Sequence, residues 1–403
     1  MNELEKNLVL ATVPVLKEHG LELTKYFYNR MFTHNPELKN VFNLRNQQSG
    51  KQQTALAMAV LAYAENIENP GVLMPILDRI GHKHVSLDIR PEQYTTVGRH
   101  LIASIAEVLG DAATQEIKEA WTSAYGELAA IMSGHEGVLY QNQVNKENGW
   151  TGWKPFRIGR REIESDEICS FYLYPTDSGK LPDYKPGQYI SIKIYLPQLN
   201  LNQIRQYSLS DEPGKDYYRI SVKKEKSELI NTDGMISNYL HDSGQPGTIV
   251  ELSSPSGNFV LPEENNFPLV FISGGIGATP FVSMIKYLSS KQHSHPICWL
   301  HACRSRDVHA FREFYQEMEN SGLDFTGHIF YDKCSLEDIQ AGVNEGHLNI
   351  GSLENTRYYK NTRYYICGPA GFIKKQFGDL KKIGVDSEKI FFEEFGPQVL
   401  TPD

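Results

Sequence analysis

Over about the first 140 residues, apolar side chains recur every three or four positions, the period of helices with one buried face. Thr24, Tyr28 and Met31 share a face in TKYFYNRMF, and Pro36 and the NVFNLRNQ segment then interrupt the pattern. The next stripe runs through Gln52, Leu56, Ala59 or Val60, Tyr63 and Ile67. Gln52 and Leu56 lie one turn apart and face the same space. Leu73, Leu77, Ile80 and His84 form another stripe, with the histidine at its end. Pro91 opens a further helix at its first turn, with Tyr94, Val97, Leu101, Ile105 and Val108 on one side. A last long helix carries Ile117, Trp121, Leu128 and Met132, with Glu136 one turn beyond.

Near Asn148 the period changes. Gly149-Trp150-Thr151-Gly152 reads as a linker. Beyond it Ile190, Ile192, Ile194 and Leu196 alternate at period two, with similar runs at ICSFYLYP, YYRISVKK and GTIVELSSP. Short strands separated by Pro/Gly turns predict a small antiparallel barrel. From Pro268 strand and helix patterns alternate: PLVFIS, then FVSMIKYLSS, then ICWLHACR, FTGHIFYD and RYYICGP. That alternation predicts an open parallel sheet flanked by helices. The expected organisation is therefore three domains: an all-α unit over 1–146, an antiparallel β-barrel over 150–263 and an α/β unit over 267–403.

A chain of 403 residues accommodates roughly two to four domains, and 40% hydrophobic content is ordinary for globular protein. Forty basic against 49 acidic side chains leave a net charge of −9, which argues against a nucleic-acid surface. No apolar run approaches the ~18 residues of a membrane span. The start, MNELEKNLVL, lacks the basic and apolar regions of a signal peptide. Five cysteines without a CxxC pair read as reduced thiols in a cytoplasmic protein; a monomer is also expected.

Several residues carry candidate chemistry. A neutral imidazole at the edge of an apolar wall suits iron held in a flat macrocycle, although such a histidine is more often a satisfied core residue. Tyr28 offers an O–H and Gln52 an amide N–H, the donors that a diatomic gas on ferrous haem needs, and Leu56 keeps such a pocket dry. Tyr28 is otherwise a core aromatic. By spacing alone Tyr94 fills core, while Glu136 and Lys83 are solvated charges. In the barrel, Tyr189 and Tyr207 present aromatic faces. Arg205, in Arg205-Gln206-Tyr207-Ser208, suits a diphosphate because its fork is bidentate and permanently charged. Ser237, shortly after Gly234, stands where a helix N-terminus offers free N–H groups. Gly275-Ile276-Gly277-Ala278-Thr279-Pro280 lets backbone approach a pyrophosphate at a helix start. Cys367-Gly368-Pro369 sits at the carboxyl end of a strand, where open sheets bind ligands. Arg304 and Arg306 either meet a 2′-phosphate or face solvent, so NADH and NADPH both stay open, with NADH preferred.

The helical third resembles a globin, and FYNRMFTHNPELKNVF, GKQQTAL, KHVS and RPEQYTTVG are similar to the haem domain of flavohaemoglobins. The resemblance implies that His84 is the proximal iron ligand and that Phe42 packs against haem b. It implies that Tyr28, Gln52 and Leu56 line the gas side, that Tyr94 and Glu136 stand near His84, and that Lys83 influences redox potential. GQY, then RxYS, then GxxSxxL resemble the FAD-binding domain of the ferredoxin–NADP reductase superfamily, although the loop KKEKSELINTDG is longer than usual. In that family the Cys367 turn lies beside the nicotinamide. KIFFEEFGP is similar to the terminal flavin contact, with Glu393, Phe395, Gly396 and Pro397, and with Glu394 before the phenylalanine. Phe395 is then a cover for the flavin.

Nicotinamide delivers two electrons as a hydride, haem iron accepts one at a time, and FAD converts between them. The resemblance implies nitric oxide dioxygenase activity: NO and O2 become nitrate at a haem re-reduced by NADH or NADPH through FAD. Two alternatives are an NAD(P)H-dependent reductase of oxygen or external acceptors, with the haem secondary, and a haem gas sensor. The sensor is the weaker, because a gas binder has no need of a hydride-fed flavin.

Overall fold

The computed structural model describes residues 1–226, 234–264, 266–350 and 361–396. Its first third is helical: α1 (Glu3–Ala11), α2 (Val13–His34), α3 (Leu44–Gln48), α4 (Lys51–Glu65), α5 (Met74–Ser86), α6 (Pro91–Leu109) and α7 (Gln115–Asn145). Sequence signals set the ends. The Asn2 side chain accepts from Glu5 N–H in a capping box, Thr114 caps α7, and Pro91 occupies the first turn of α6. Thr24, Tyr28 and Met31 are all buried, as their common face predicts. Leu23, Phe27, Met31, Leu101, Ile105, Trp121 and Met132 belong to one apolar core. Leu56, Val60, Ile80, Val97, Ile102 and Phe42 pack against that core yet remain half-buried.

The middle third is a six-stranded sheet in the order β4-β3-β6-β1-β2-β5, antiparallel at every pairing. The strands are β1 (Lys154–Ser165), β2 (Ile168–Pro175), β3 (Tyr189–Leu196), β4 (Leu201–Ser208), β5 (Tyr218–Lys223) and β6 (Ile249–Leu252), with α8 (Met235–Ser243) between β5 and β6. Ile190, Ile192, Ile194 and Leu196 turn inward and are buried, so the period-two pattern marks the barrel face. The opposite face of β3 also hides Ser191, with no exposure at all.

The last third is a six-stranded parallel sheet in the order β10-β9-β8-β7-β11-β12. It comprises β7 (Leu269–Gly274), α9 (Thr279–Ser290), β8 (Ile297–Cys303), α10 (Arg312–Glu319), β9 (Phe325–Tyr331), α11 (Leu336–Gln340), β10 (Asn344–Glu345), β11 (Arg363–Gly368), α12 (Ala370–Lys382) and β12 (Ile390–Glu394). β7 lies between β8 and β11, so the strand order reverses there and a crevice opens at the carboxyl ends of β7 and β11. Among the described residues no helix is long and apolar enough to cross a membrane.

Candidate functional site

α5 is the hub. His84 lies in its last turn, and its Nδ1 is 2.9 Å from the Tyr94 hydroxyl and 2.7 Å from Glu136 Oε1. Tyr94 donates to the same carboxylate oxygen at 2.6 Å. Glu136 is only 2% exposed, so it is no solvated helix-end charge. The tertiary fold brings α5, α6 and α7 together to build this triad. Burial and the adjacent carboxylate push the Tyr94 phenol far up, keeping it a donor. With Nδ1 engaged, the ring turns Nε2 the other way. Among the described residues that nitrogen has no hydrogen-bond partner. An unpartnered imidazole nitrogen beside half-buried apolar side chains fits an axial ligand facing a flat macrocycle.

Tyr28, Phe32 and Phe42 cluster in or against the helical core, with ring centroids 5.7 Å apart for Tyr28–Phe42 and 5.4 Å for Phe32–Phe42. Burial pushes the Tyr28 phenol up to about 12, against the opposing pull of nearby Gln52 and Gln47 amides. Gln47 Nε2 is a buried donor that closes no bond of ordinary geometry among the described residues. Gln47 escaped the sequence reading because it lies on the short α3, outside any helical stripe. Gln53 holds it, donating from Nε2 to Gln47 Oε1 at 3.0 Å.

The barrel motifs are cross-strand neighbours. Tyr189 pairs with Ser208, Ile190 with Tyr207 and Ser191 with Gln206. Arg205 donates through Nη1 to Ile204 O at 2.6 Å, but its Nη2 is buried and has no partner among the described residues. Burial lowers its guanidinium to about 10. A buried, half-satisfied cation of this kind fits an anionic ligand such as a diphosphate. Ser237, in the first turn of α8, donates to Gly234 O at 3.0 Å and accepts from Glu225 N–H at 3.3 Å. A Cβ on Gly234 would lie 2.5 Å from Ser237 Oγ, so this approach requires glycine. The long loop is only partly described, since 227–233 lie outside the described residues.

In the parallel sheet, Gly275–Ala278 forms a short 3-10 turn leading into α9, with Thr279 and Pro280 in the first helical turn. A Cβ on Gly277 would sit 2.3 Å from the carbonyl oxygen of Cys367, which presses this turn against Cys367-Gly368-Pro369. Cys367 is fully buried and pairs with Ser273 on one side and Glu393 on the other. Glu393 Oε2 is buried with no partner among the described residues, and burial raises its carboxyl to about 8 against the pull of Arg79. Phe395 is 45% exposed, Gly396 follows it, and Pro397 lies outside the described residues. Arg304 pairs with Glu167 at 2.6 Å, and Arg306 with Glu337 at 3.4 Å and Asp338 at 3.8 Å.

α5 joins the three regions. Lys83 is half-buried rather than solvated, and burial and the charge of Arg205 lower its titration while Glu394 opposes them. The Arg79 guanidinium lies 5.6 Å from the Phe392 ring centroid. The sequence stripe pointed to one face of this helix only.

Residues 25–132 match the globin family, 156–261 the oxidoreductase FAD-binding domain and 271–376 the oxidoreductase NAD-binding domain. The chain is 46% identical to a flavohemoprotein of Chromobacterium violaceum over 98% of each chain. It is 44% identical to one of Bacillus subtilis, over 97% of this chain and 96% of that one. Among solved structures it is similar to a flavohemoglobin from Malassezia yamatoensis with bound FAD and heme. That match has a TM-score of 0.86 and 27% identity, over 98% of this chain and 99% of that one. It is also similar to the FAD/NAD binding domain of a nitric oxide dioxygenase from Vibrio cholerae, with a TM-score of 0.56 and 35% identity, over 60% and 99%.

Proposed function

Because the chain belongs to the flavohemoprotein family, we propose that it is a nitric oxide dioxygenase, turning NO and O2 into nitrate with electrons from NADH or NADPH. Haem, when bound, supplies a one-electron iron centre, and FAD supplies the conversion from hydride to single electrons. One observation supports the reading: a single helix holds His84 against Tyr94 and Glu136 of the helical domain and, two residues on, accepts through Ser86 from Ser191 of the strand paired with the flavin motif.

The residues have distinct tasks. His84 Nε2 holds iron, and Glu136 with Tyr94 fixes the ring and keeps the Nδ1 proton engaged, which makes the imidazole a stronger donor. Phe42 packs on the macrocycle. Tyr28 and Gln52 turn donors towards the gas side, while Leu56 excludes water there and strengthens their bonds. Arg205 and Ser237 hold the diphosphate, and Tyr189, Gln206, Tyr207 and Ser208 frame the flavin. Gly275, Ile276, Gly277, Ala278, Thr279 and Pro280 receive the nucleotide pyrophosphate. Cys367, Gly368 and Pro369 bound the nicotinamide side. Glu393, Glu394, Phe395 and Gly396 close the flavin side.

The test is NADH-dependent, oxygen-dependent loss of NO with nitrate as product. Tyr28→Phe removes the gas-side phenol and slows NO loss by about 10- to 100-fold while sparing cytochrome c reduction. Equal loss of both activities would refute the role of Tyr28. NADH oxidation without nitrate would identify the chain as a reductase of other acceptors.

A further inference from the structure

α5 has a second face. Leu77, Ile80 and His84 form one row, whereas Asp78, His82 and Ser86 recur four residues apart. Ile80 and His82 are two positions apart, about 200° around the helix, so the rows look in nearly opposite directions. Each member of the second row meets the barrel. Asn258 Nδ2 donates to Asp78 Oδ2 at 2.6 Å, Gly257 N–H donates to His82 Nδ1 at 3.2 Å, and Ser191 Oγ donates to Ser86 Oγ at 2.9 Å.

The last of these belongs to a directed chain. Gln206 Nε2 donates to Ser191 Oγ at 3.1 Å, Ser191 donates to Ser86, and Ser86 donates to the carbonyl of Lys83 at 2.8 Å. Three hydrogen bonds thus run from the flavin motif to the residue preceding the iron ligand. Ser86 and Ser191 are both 0% exposed, so water cannot replace a lost partner. Buried networks whose members are all satisfied fix one arrangement of the parts they join. Apolar packing alone would allow the two surfaces to slide. Gly257 adds to this constraint, since a Cβ there would lie 2.9 Å from the Tyr189 ring, placing the His82 contact directly behind a flavin-motif aromatic.

We propose that Ser86 and Ser191, supported by the Asp78–Asn258 and His82–Gly257 contacts, are positioning residues that hold the iron-ligand helix on the flavin site and so set the rate of electron passage between them. This rests on the proposed function. Overall, each NADH gives up two electrons for two successive one-electron reductions of ferric iron, and one proton leaves to water. Electron passage falls as the two groups separate, so a shift in how the helix is seated on the flavin site is read as a change in the rate of haem reduction.

The test uses the full-length holoprotein, mixed anaerobically with NADH while flavin bleaching and the Soret shift are followed separately. Hydrogen exchange over 84–87 and 189–192 is measured in parallel. Ser191→Ala and the exposed-site variant Asn258→Ala are expected to leave flavin bleaching at the parental rate. Haem reduction slows by about tenfold in Ser191→Ala and less in Asn258→Ala, exchange rises in both segments, and Ser191→Thr restores the parental values by keeping the hydroxyl. Parental haem-reduction rates in both variants, or flavin bleaching that falls by the same factor, would overturn the proposal. Absence of NADH-driven haem reduction in the parent would sink the proposed function instead. Unchanged exchange in the variants would still count against the positioning role in that case.

Discussion

Glu136 Oε1 lies 2.7 Å from His84 Nδ1, and the two residues are 52 positions apart in sequence. The carboxylate is buried and also accepts from Tyr94, so its charge is directed at one imidazole. Glu136→Gln keeps the shape and removes the charge. The histidine then becomes a weaker donor. The expected outcome is a lower iron–histidine stretching frequency by resonance Raman, with NO turnover down by about 10- to 100-fold. An unchanged frequency would show that the carboxylate does not tune the ring.

Arg205 carries opposite costs with and without ligand. Its Nη2 is buried with no partner among the described residues, a cost to the unliganded protein, and in the proposed function the same atom donates to a diphosphate. Arg205→Leu is expected to raise the melting temperature of flavin-free protein and to weaken FAD binding by at least about tenfold. Calorimetry of the flavin-free form and the flavin-to-protein ratio after gel filtration check the two halves. A drop in flavin-free stability would contradict this account.

Glu393 gives stability a pH dependence. Burial raises its carboxyl from 4.5 to about 8, so between these values the folded protein holds a proton that the unfolded chain has released. Stability from this group therefore falls as pH rises through that window and levels off above it. Glu393→Gln is expected to flatten the decline: a higher melting temperature than the parent at pH 9 and a similar one at pH 4.5. A parallel pair of stability curves would rule out Glu393 as the source.

Much of the architecture was legible in the sequence because it depends on local periodicity. A period of 3.6 up to Asn145, a period of two through Ile190–Leu196 and strand–helix alternation from Leu269 correspond to the three kinds of element observed. Short motifs named the candidate binding residues for the same reason: Gly277 and Arg205 are singled out by their immediate backbone and charge. By spacing alone, however, Tyr94 and Glu136 read as core filler and a solvated charge. Gln47 and the Asp78–His82–Ser86 row were invisible.

The amino-acid order by itself thus determined the elements, their inner faces and the cofactor motifs, because each is fixed by neighbours a few residues away. Only the tertiary structure decided which polar groups lose water. Ser191, Ser86 and Glu136 resemble surface residues in sequence, yet packing between α5, α6, α7 and β3 buries them. Once desolvated, each must find a partner: those of Glu136 lie 42 and 52 positions away, and Ser86 and Ser191 meet across 105.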